Sequence, residues 1–169
     1  METLWTPWRI GFIVGEKPKG CLFCLKHQAP REKDAENFIL HRGPGCFVML
    51  NLYPYANGHL MIAPYQHVGS IELLDKDSLS EMGTLAQASV VALRKTLAPE
   101  GFNIGMNLGK VAGAGVADHV HLHVVPRWGG DTNFISVLAD TRLIPEALSQ
   151  TYKALARVFP EALSAQSSR

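Results

Sequence analysis

The stretch Asp118-His119-Val120-His121-Leu122-His123-Val124-Val125-Pro126-Arg127-Trp128 decides how the rest of the chain is read. Histidine alternates with an apolar residue three times over. Side chains on a strand point to opposite faces with period two and rise about 3.3 Å per residue. The pattern therefore predicts a strand with His119, His121 and His123 on one face, the outer two about 13 Å apart along it. Val120, Leu122 and Val124 take the other face and enter the core. Three imidazoles on one strand face leave four explanations: metal ligation, nucleophilic catalysis, a mixture of the two, or packing. Packing alone accounts poorly for three in register.

Outward from this strand, the totals set bounds. A chain of 169 residues fits one domain with a sizeable core. With 47% apolar and 18% charged residues it has the composition of a folded protein. A formal net charge of +1, with no block of like charge, argues against gripping a nucleic-acid backbone or a membrane surface. No apolar run approaches the ~20 residues of a membrane span, and the N-terminus lacks a signal-peptide core, so a cytoplasmic address is expected. The three cysteines, Cys21, Cys24 and Cys46, do not suggest a disulfide framework. Cys21-Leu22-Phe23-Cys24 has a spacing used to chelate zinc or to run redox chemistry, and taken alone it distinguishes neither from an incidental pair. Cys46 reads as core, His27 and His41 as surface.

Residues 1–19 read as an N-terminal arm. Short strands are expected at Phe38–His41, Cys46–Leu52 and His59–Ala63, the first two joined through Gly43-Pro44-Gly45 as a hairpin. The apolar run of the second predicts burial on both faces. Ser78–Leu97 is the strongest helix, with Leu79, Met82, Ala86, Val90, Leu93 and Leu97 as one stripe and Ser78-x-x-Glu81 as a capping box. Phe102–Leu108 alternates again, placing Asn103, Gly105 and Asn107 on the polar side. Gly109–Gly115 is a small-residue loop whose backbone N–H groups can approach a ligand. Pro145–Phe159 is a final helix, and residues 160–169 a flexible tail. Neighbouring strands with one long helix between them predict a single α+β domain over 1–169, an antiparallel meander with helices on one face. Histidines, amides and a glycine-rich loop on one polar face suit an anion, phosphate foremost.

His-φ-His-φ-His-φ-φ, where φ is apolar, resembles the signature of the histidine triad (HIT) family of nucleotide hydrolases and transferases. Asn51-Leu52-Tyr53-Pro54-Tyr55-Ala56-Asn57-Gly58-His59-Leu60-Met61-Ile62-Ala63-Pro64 is similar to the family's ribose-binding strand and the histidine strand that follows it. Cys21-x-x-Cys24 resembles the zinc-binding start of many bacterial members. Trp5-Thr6-Pro7-Trp8-Arg9, Asn51-Leu52-Tyr53-Pro54-Tyr55 and Pro126-Arg127-Trp128-Gly129-Gly130-Asp131-Thr132-Asn133-Phe134 resemble the branch that contains diadenosine tetraphosphate phosphorylases. The likeness runs from Trp5 to Ile135.

That resemblance implies cleavage of dinucleoside polyphosphates at the α-phosphorus through a nucleotidyl-His121 intermediate, resolved by phosphate or water. It implies that His123 stabilises phosphate charge and that His59 supports the cluster. Asn51 would hold the ribose, with Asn107 and the backbone of Gly113–Gly115 on the phosphates. Cys21, Cys24, His67 and His119 would form a structural zinc site, and two copies would join their sheets into one. Two departures stand out. Gly115-Val116 replaces the usual Gln followed by Ser or Thr, and Asn107 lies one residue further from the triad than its counterpart. The first keeps open a nucleoside phosphoramidate as substrate, and a nucleotide-binding protein with little turnover stays open because fold does not fix function.

Overall fold

The computed structural model describes residues 20–131 and 146–167. The N-terminal arm, Thr132-Asn133-Phe134 and Pro145 lie outside them. Five strands form one antiparallel sheet: β1 (Ile39–Arg42), β2 (Cys46–Leu50), β3 (Leu60–Pro64), β4 (Gly101–Met106) and β5 (Leu122–Arg127). Among the described residues three α-helices accompany it: α1 (Leu22–Gln28), α2 (Lys76–Leu97) and α3 (Leu148–Ser167). The fold is α+β, as the alternation of short strands and one long helix predicts.

The strand order is β1-β2-β3-β5-β4, so the meander is interrupted. After β3 the chain crosses through α2 to the far edge, and β5 returns into the gap, pairing with β3 on one side and β4 on the other. The histidine strand is thereby an inner strand with its backbone paired on both sides. Met61 and Gly105 lie directly across from His123.

β2 is buried along its whole length, because both faces of the sheet are covered. Cys46, Val48 and Leu50 join Leu60, Ile62 and Val124 against α2 and α3. Phe47 and Met49 join Met61, Ala63 and Phe23 under α1. The histidines belong to this second face. Burial of its thiol pushes Cys46 up to about 12, as expected of a core cysteine.

α2 starts three residues earlier than the capping-box pattern implies. Asp75 is the cap, and its carboxylate accepts the Ser78 N–H at 2.7 Å. Glu81 instead accepts from the Gly45 N–H at 2.8 Å, fastening the helix to the β1–β2 turn. The core stripe is also rotated from the expected one. Met82, Leu85, Ala88, Ser89, Ala92 and Leu93 face the sheet, whereas Leu79 is 42% exposed. The small residues Ala88, Ser89 and Ala92 let the helix approach the strands closely, and the Ser89 hydroxyl is satisfied by the Leu85 carbonyl at 2.7 Å.

Residues expected as a tail from Pro160 onward continue α3 to Ser167. An interior proline removes one helical hydrogen bond, but Phe159 and Ala162 on either side of it are fully buried in the core shared with α2. Packing outweighs the lost bond. His27 and His41, expected at the surface, are half-buried: His27 lies against Tyr65 and Phe47, and His41 stacks on Phe159.

Arg42, at the end of β1, anchors α1. Its guanidinium pairs with Asp34 at 2.6 Å and donates to the carbonyls of His27 at 2.5 Å and Ala29 at 3.0 Å. These are carbonyl groups that a helix C-terminus leaves without partners.

Candidate active site

His119, His121 and His123 are all buried, and each has a different set of partners. β5 begins only at Leu122, so His119 and His121 precede the ladder. Their backbone is held instead by the Val120 N–H, which donates to the Val68 carbonyl at 2.7 Å. Alternation nevertheless persists, with Val120 and Val124 in the interior.

His119 faces the cysteines. Its Nδ1 lies 3.3 Å from Cys21 Sγ, 3.6 Å from Cys24 Sγ and 3.3 Å from His67 Nδ1, and Cys24 Sγ lies 3.3 Å from His67 Nδ1. A tetrahedral zinc with bonds of about 2.0–2.3 Å has ligand-to-ligand edges of about 3.3–3.8 Å. The four residues therefore fit a closed Cys₂His₂ metal site, and their ligand atoms all lie within 4.8 Å of one another. His119 Nε2–H donates to the Pro64 carbonyl at 2.9 Å, which puts the lone pair on Nδ1, toward the sulfurs. Burial and the adjacent Cys21 push the Cys24 thiol up. A metal ion bound between the two sulfurs would reverse that, since a coordinating thiol is deprotonated.

His121 has the opposite tautomer. Its Nδ1–H donates to the His119 carbonyl at 2.9 Å, leaving the lone pair on Nε2. Burial lowers its basicity, against the opposing effect of that hydrogen bond. The neutral ring thus presents Nε2 without a proton.

His123 is reached through a chain of fixed protons. His59 Nδ1 accepts the Tyr55 N–H at 3.1 Å and lies 3.2 Å from Asn51 Nδ2, which donates to it. An accepting Nδ1 carries no proton, so neutral His59 is protonated on Nε2 and donates to His123 Nδ1 at 2.9 Å. His123 must then carry its proton on Nε2. That atom is buried and has no hydrogen-bond partner among the described residues. Burial, with His123 and His121 beside it, takes His59 down to about 3. Burial and His121 take His123 down to about 4. Neither becomes cationic at neutral pH, so the chain of tautomers holds. The site thus sets a lone pair on one ring beside an unsatisfied N–H donor on the next, with the two ring centroids 4.7 Å apart.

The three imidazoles do not converge on one point, so a three-histidine metal centre does not describe them. Of the three, His119 alone joins the group that fits a metal; His121 and His123 lie outside it. Asn51 lies behind His59, its Oδ1 accepting from the Tyr53 N–H at 2.9 Å. Asn107 reaches toward Gly113 across the loop, where a Cβ on Gly113 would come within 4.0 Å of its Nδ2. Gly115 is exposed, with open space where a side chain would stand. Val116 packs on the core under α1. Gly105 opposite His123 also has open space in place of a side chain. Asn103 is engaged elsewhere, accepting from Arg127 at 2.8 Å.

Two contributors escape a reading by residue type. The Tyr55 backbone amide sets the His59 tautomer, and its ring lies 4.7 Å from that of His59. This depends on the 51–58 loop folding back, which Gly58 permits with φ of 76° where a Cβ would strike Leu97. The other is Phe23, inside the Cys-x-x-Cys. Its one signal is an apolar residue on the inward side of a short helix.

Comparison with known proteins places this geometry. Residues 32–130 match the family model described as HIT domain. The chain is 37% identical over 162 residues to the AP-4-A phosphorylase of Mycobacterium tuberculosis, covering 92% of this chain and 83% of that one. It is 29% identical over 109 residues to adenosine 5'-monophosphoramidase of Schizosaccharomyces pombe, covering 63% and 74%. Among solved structures, a zinc-bound histidine triad family protein from Mycobacterium smegmatis superimposes with a TM-score of 0.67 at 26% identity, covering 86% of this chain and 97% of that one. The matched span includes β1 to β5 and all three triad histidines, and this chain belongs to the HIT family.

Proposed function

We propose that this chain, a nucleotide phosphorylase or hydrolase of the HIT family, cleaves dinucleoside polyphosphates, diadenosine tetraphosphate foremost, by nucleotidyl transfer through His121. The observation that carries the reading is the opposed pair of tautomers: a nucleophilic His121 Nε2 beside a proton-bearing His123 Nε2. His121 Nε2 attacks the α-phosphorus, a P–N bond forms and the α–β bridging P–O bond breaks. ATP leaves, and AMP stays on the imidazole. The positive charge on that ring is met by the His119 carbonyl at Nδ1–H. His123 Nε2–H donates to a phosphate oxygen as charge builds there. Inorganic phosphate then attacks the same phosphorus, releasing ADP and returning the electron pair to Nε2.

The 37% relative's phosphorylase name and the open space at Gly115 favour phosphate over water as acceptor. The Gly115 N–H and the Asn107 amide would hold phosphate oxygens, whereas the Gly113 and Ala114 N–H groups, expected to share that role, already donate to the Lys110 and Gly109 carbonyls at 3.0 and 3.3 Å. A carboxamide oxygen has two lone pairs, so Asn51 Oδ1 can accept a ribose hydroxyl while keeping its bond to Tyr53. Incubation with diadenosine tetraphosphate, with and without inorganic phosphate, tests the reading. ADP plus ATP, formed only with phosphate, is expected. AMP plus ATP would make the enzyme a hydrolase. A preference for adenosine phosphoramidate would transfer the mechanism to that substrate, the alternative that Gly115-Val116 and the monophosphoramidase relative support. Binding of AMP with no product from any acceptor would end the enzymatic reading.

When bound at Cys21, Cys24, His67 and His119, zinc supplies a closed structural tie between α1 and the segment that carries His121.

The chain is further proposed to act as a homodimer with a continuous sheet. β4 is an edge strand, and Ile104 on it is 50% exposed. Ile104 lines one apolar hollow with Ala86, Val90 and Val91 of α2. Sedimentation should give a dimer for the wild type and a monomer for Ile104→Glu. A wild-type monomer at micromolar concentration would contradict the proposal.

A further inference from the structure

Phe23 stands between the two cysteines, and neither metal ligation nor phosphate chemistry uses its side chain. It is 1% exposed. Its ring centroid lies 5.0 Å from that of His119 and 4.7 Å from that of His121, tilted by 45° and 41°. Edge-on contact with Phe47 at 6.4 Å seats the other side of the ring in the core. One flat side chain thus bridges the helix of the metal ligands and the proposed nucleophile.

The backbone on either side of His121 is fixed by the Val120–Val68 hydrogen bond and by the start of β5. The ring itself still turns about two side-chain bonds. Among the described residues a single polar contact restrains it, the Nδ1–H donated to the His119 carbonyl. His123 closes the other side at 68°, edge to face. Without Phe23 the imidazole gains a void to swing into, and the hydrogen bond that keeps Nε2 free of a proton is released with it.

We infer that Phe23 is a positioning residue for the nucleophile, holding the His121 ring in register with the His119 carbonyl and linking it to Cys21 and Cys24. It acts through His121 and touches no reacting atom. The inference rests on the reading of His121 as nucleophile. It adds that the metal site governs the nucleophile through this aromatic wall as well as through the chain at His119.

The test uses the full zinc-loaded chain and the variants Phe23→Leu and Phe23→Ala. Three readouts are taken: zinc per chain, kcat and KM for diadenosine tetraphosphate, and the exchange-protected Nδ1–H proton of His121 by NMR. The expected result is retained zinc and KM within about threefold. For a misaligned reacting group, kcat should fall roughly tenfold in Phe23→Leu and roughly a hundredfold in Phe23→Ala. The Nδ1–H signal, sharp in the wild type, should broaden in the same order. Stripping zinc from the wild type should lower kcat, and stripping it from Phe23→Ala should lower kcat by a smaller factor, since only the route through the chain at His119 remains and effects that share a contact are not additive. If Phe23→Ala fails to fold, seen as lost zinc and a lost melting transition, Phe23→Leu carries the test. A sharp Nδ1–H signal with unchanged kcat in the variants overturns the inference. So does a rise in KM alone, which would make Phe23 a wall of the substrate pocket. Failure of the nucleophile reading is separate: it would show as turnover retained in His121→Asn, with the effect of Phe23 on the Nδ1–H signal unaltered.

Discussion

Replacing His121 with asparagine should lower turnover of diadenosine tetraphosphate by about a thousandfold or more while leaving the Kd for AMP within a few-fold. Removing the nucleophile from a catalytic group that acts as a unit costs about as much as removing the whole group. Asparagine keeps a polar side chain of similar reach at the His119 carbonyl, so the fold and the position of His123 should survive. On the proposed reading, nucleotide affinity comes from other groups, namely Asn51, the 109–115 loop and the His123 Nε2–H. A loss of binding equal to the loss of turnover would mean that His121 holds substrate without attacking it. His123→Asn should cost less, because it removes a donor and not the nucleophile. Steady-state kinetics with an independent binding titration separates these outcomes.

Removing the metal should be the largest effect on stability. α1 touches the rest of the domain through Phe23, through His27 and Lys26, through Arg42 and through the Cys21–Cys24–His67–His119 group. The last joins three segments far apart in sequence: α1, the turn after β3 and the approach to β5. Metal binding that exists only in the folded state is folding free energy. Loss of several kcal/mol in a chain of this length corresponds to a fall in Tm of roughly 10 °C or more. Thermal melts with and without a strong chelator, and after restoration of zinc, measure it. A three-histidine metallohydrolase would behave differently, losing activity immediately while the melt stays put. An unchanged melt, with no metal found in the purified protein, would remove the structural-zinc reading. Cys24→Ser should reproduce most of the chelator effect without chelator.

Much of this was legible in the residues, and the misses share a cause. The alternation at 118–128 fixes which side of the strand each histidine takes, because period two is a property of the backbone itself. The same rule explains why β2 reads as doubly buried. Cys21, Cys24, His67 and His119 come together as the family resemblance implies. What the residues do not disclose is contact across space. Leu79 looks like core on a helical wheel, yet the wheel has no knowledge of where the sheet lies. α2 turns Ala88, Ser89 and Ala92 inward because small side chains allow closer approach. Ser78-x-x-Glu81 satisfies the capping-box spacing, but Asp75 competes for the same Ser78 N–H, and Glu81 finds Gly45 on a distant turn. Pro160 signals a stop to any local reading, and only the burial of Ala162 against the core shows why the helix goes on. At the site, Asn51 reads as a ribose ligand by resemblance. Its hydrogen bond to His59 Nδ1 adds a second duty, orienting the proton chain that ends at His123 Nε2. Proton positions of this kind depend on which backbone amide happens to arrive, here that of Tyr55, and no residue type announces it.

The division of labour among the three triad histidines is therefore a matter of which nitrogen is free. On the proposed mechanism, His119 Nδ1 takes the metal, His121 Nε2 attacks phosphorus, and the His123 N–H meets oxygen. The most direct measurement is intact-mass analysis of the enzyme quenched milliseconds after mixing with diadenosine tetraphosphate in the absence of inorganic phosphate, followed by peptide mapping under conditions that spare the P–N bond. Covalent catalysis requires one adenylyl group per chain on the peptide carrying His121, discharged to ADP when phosphate is added. Turnover with no adenylated protein at any time, or adenylation confined to another residue, would contradict it.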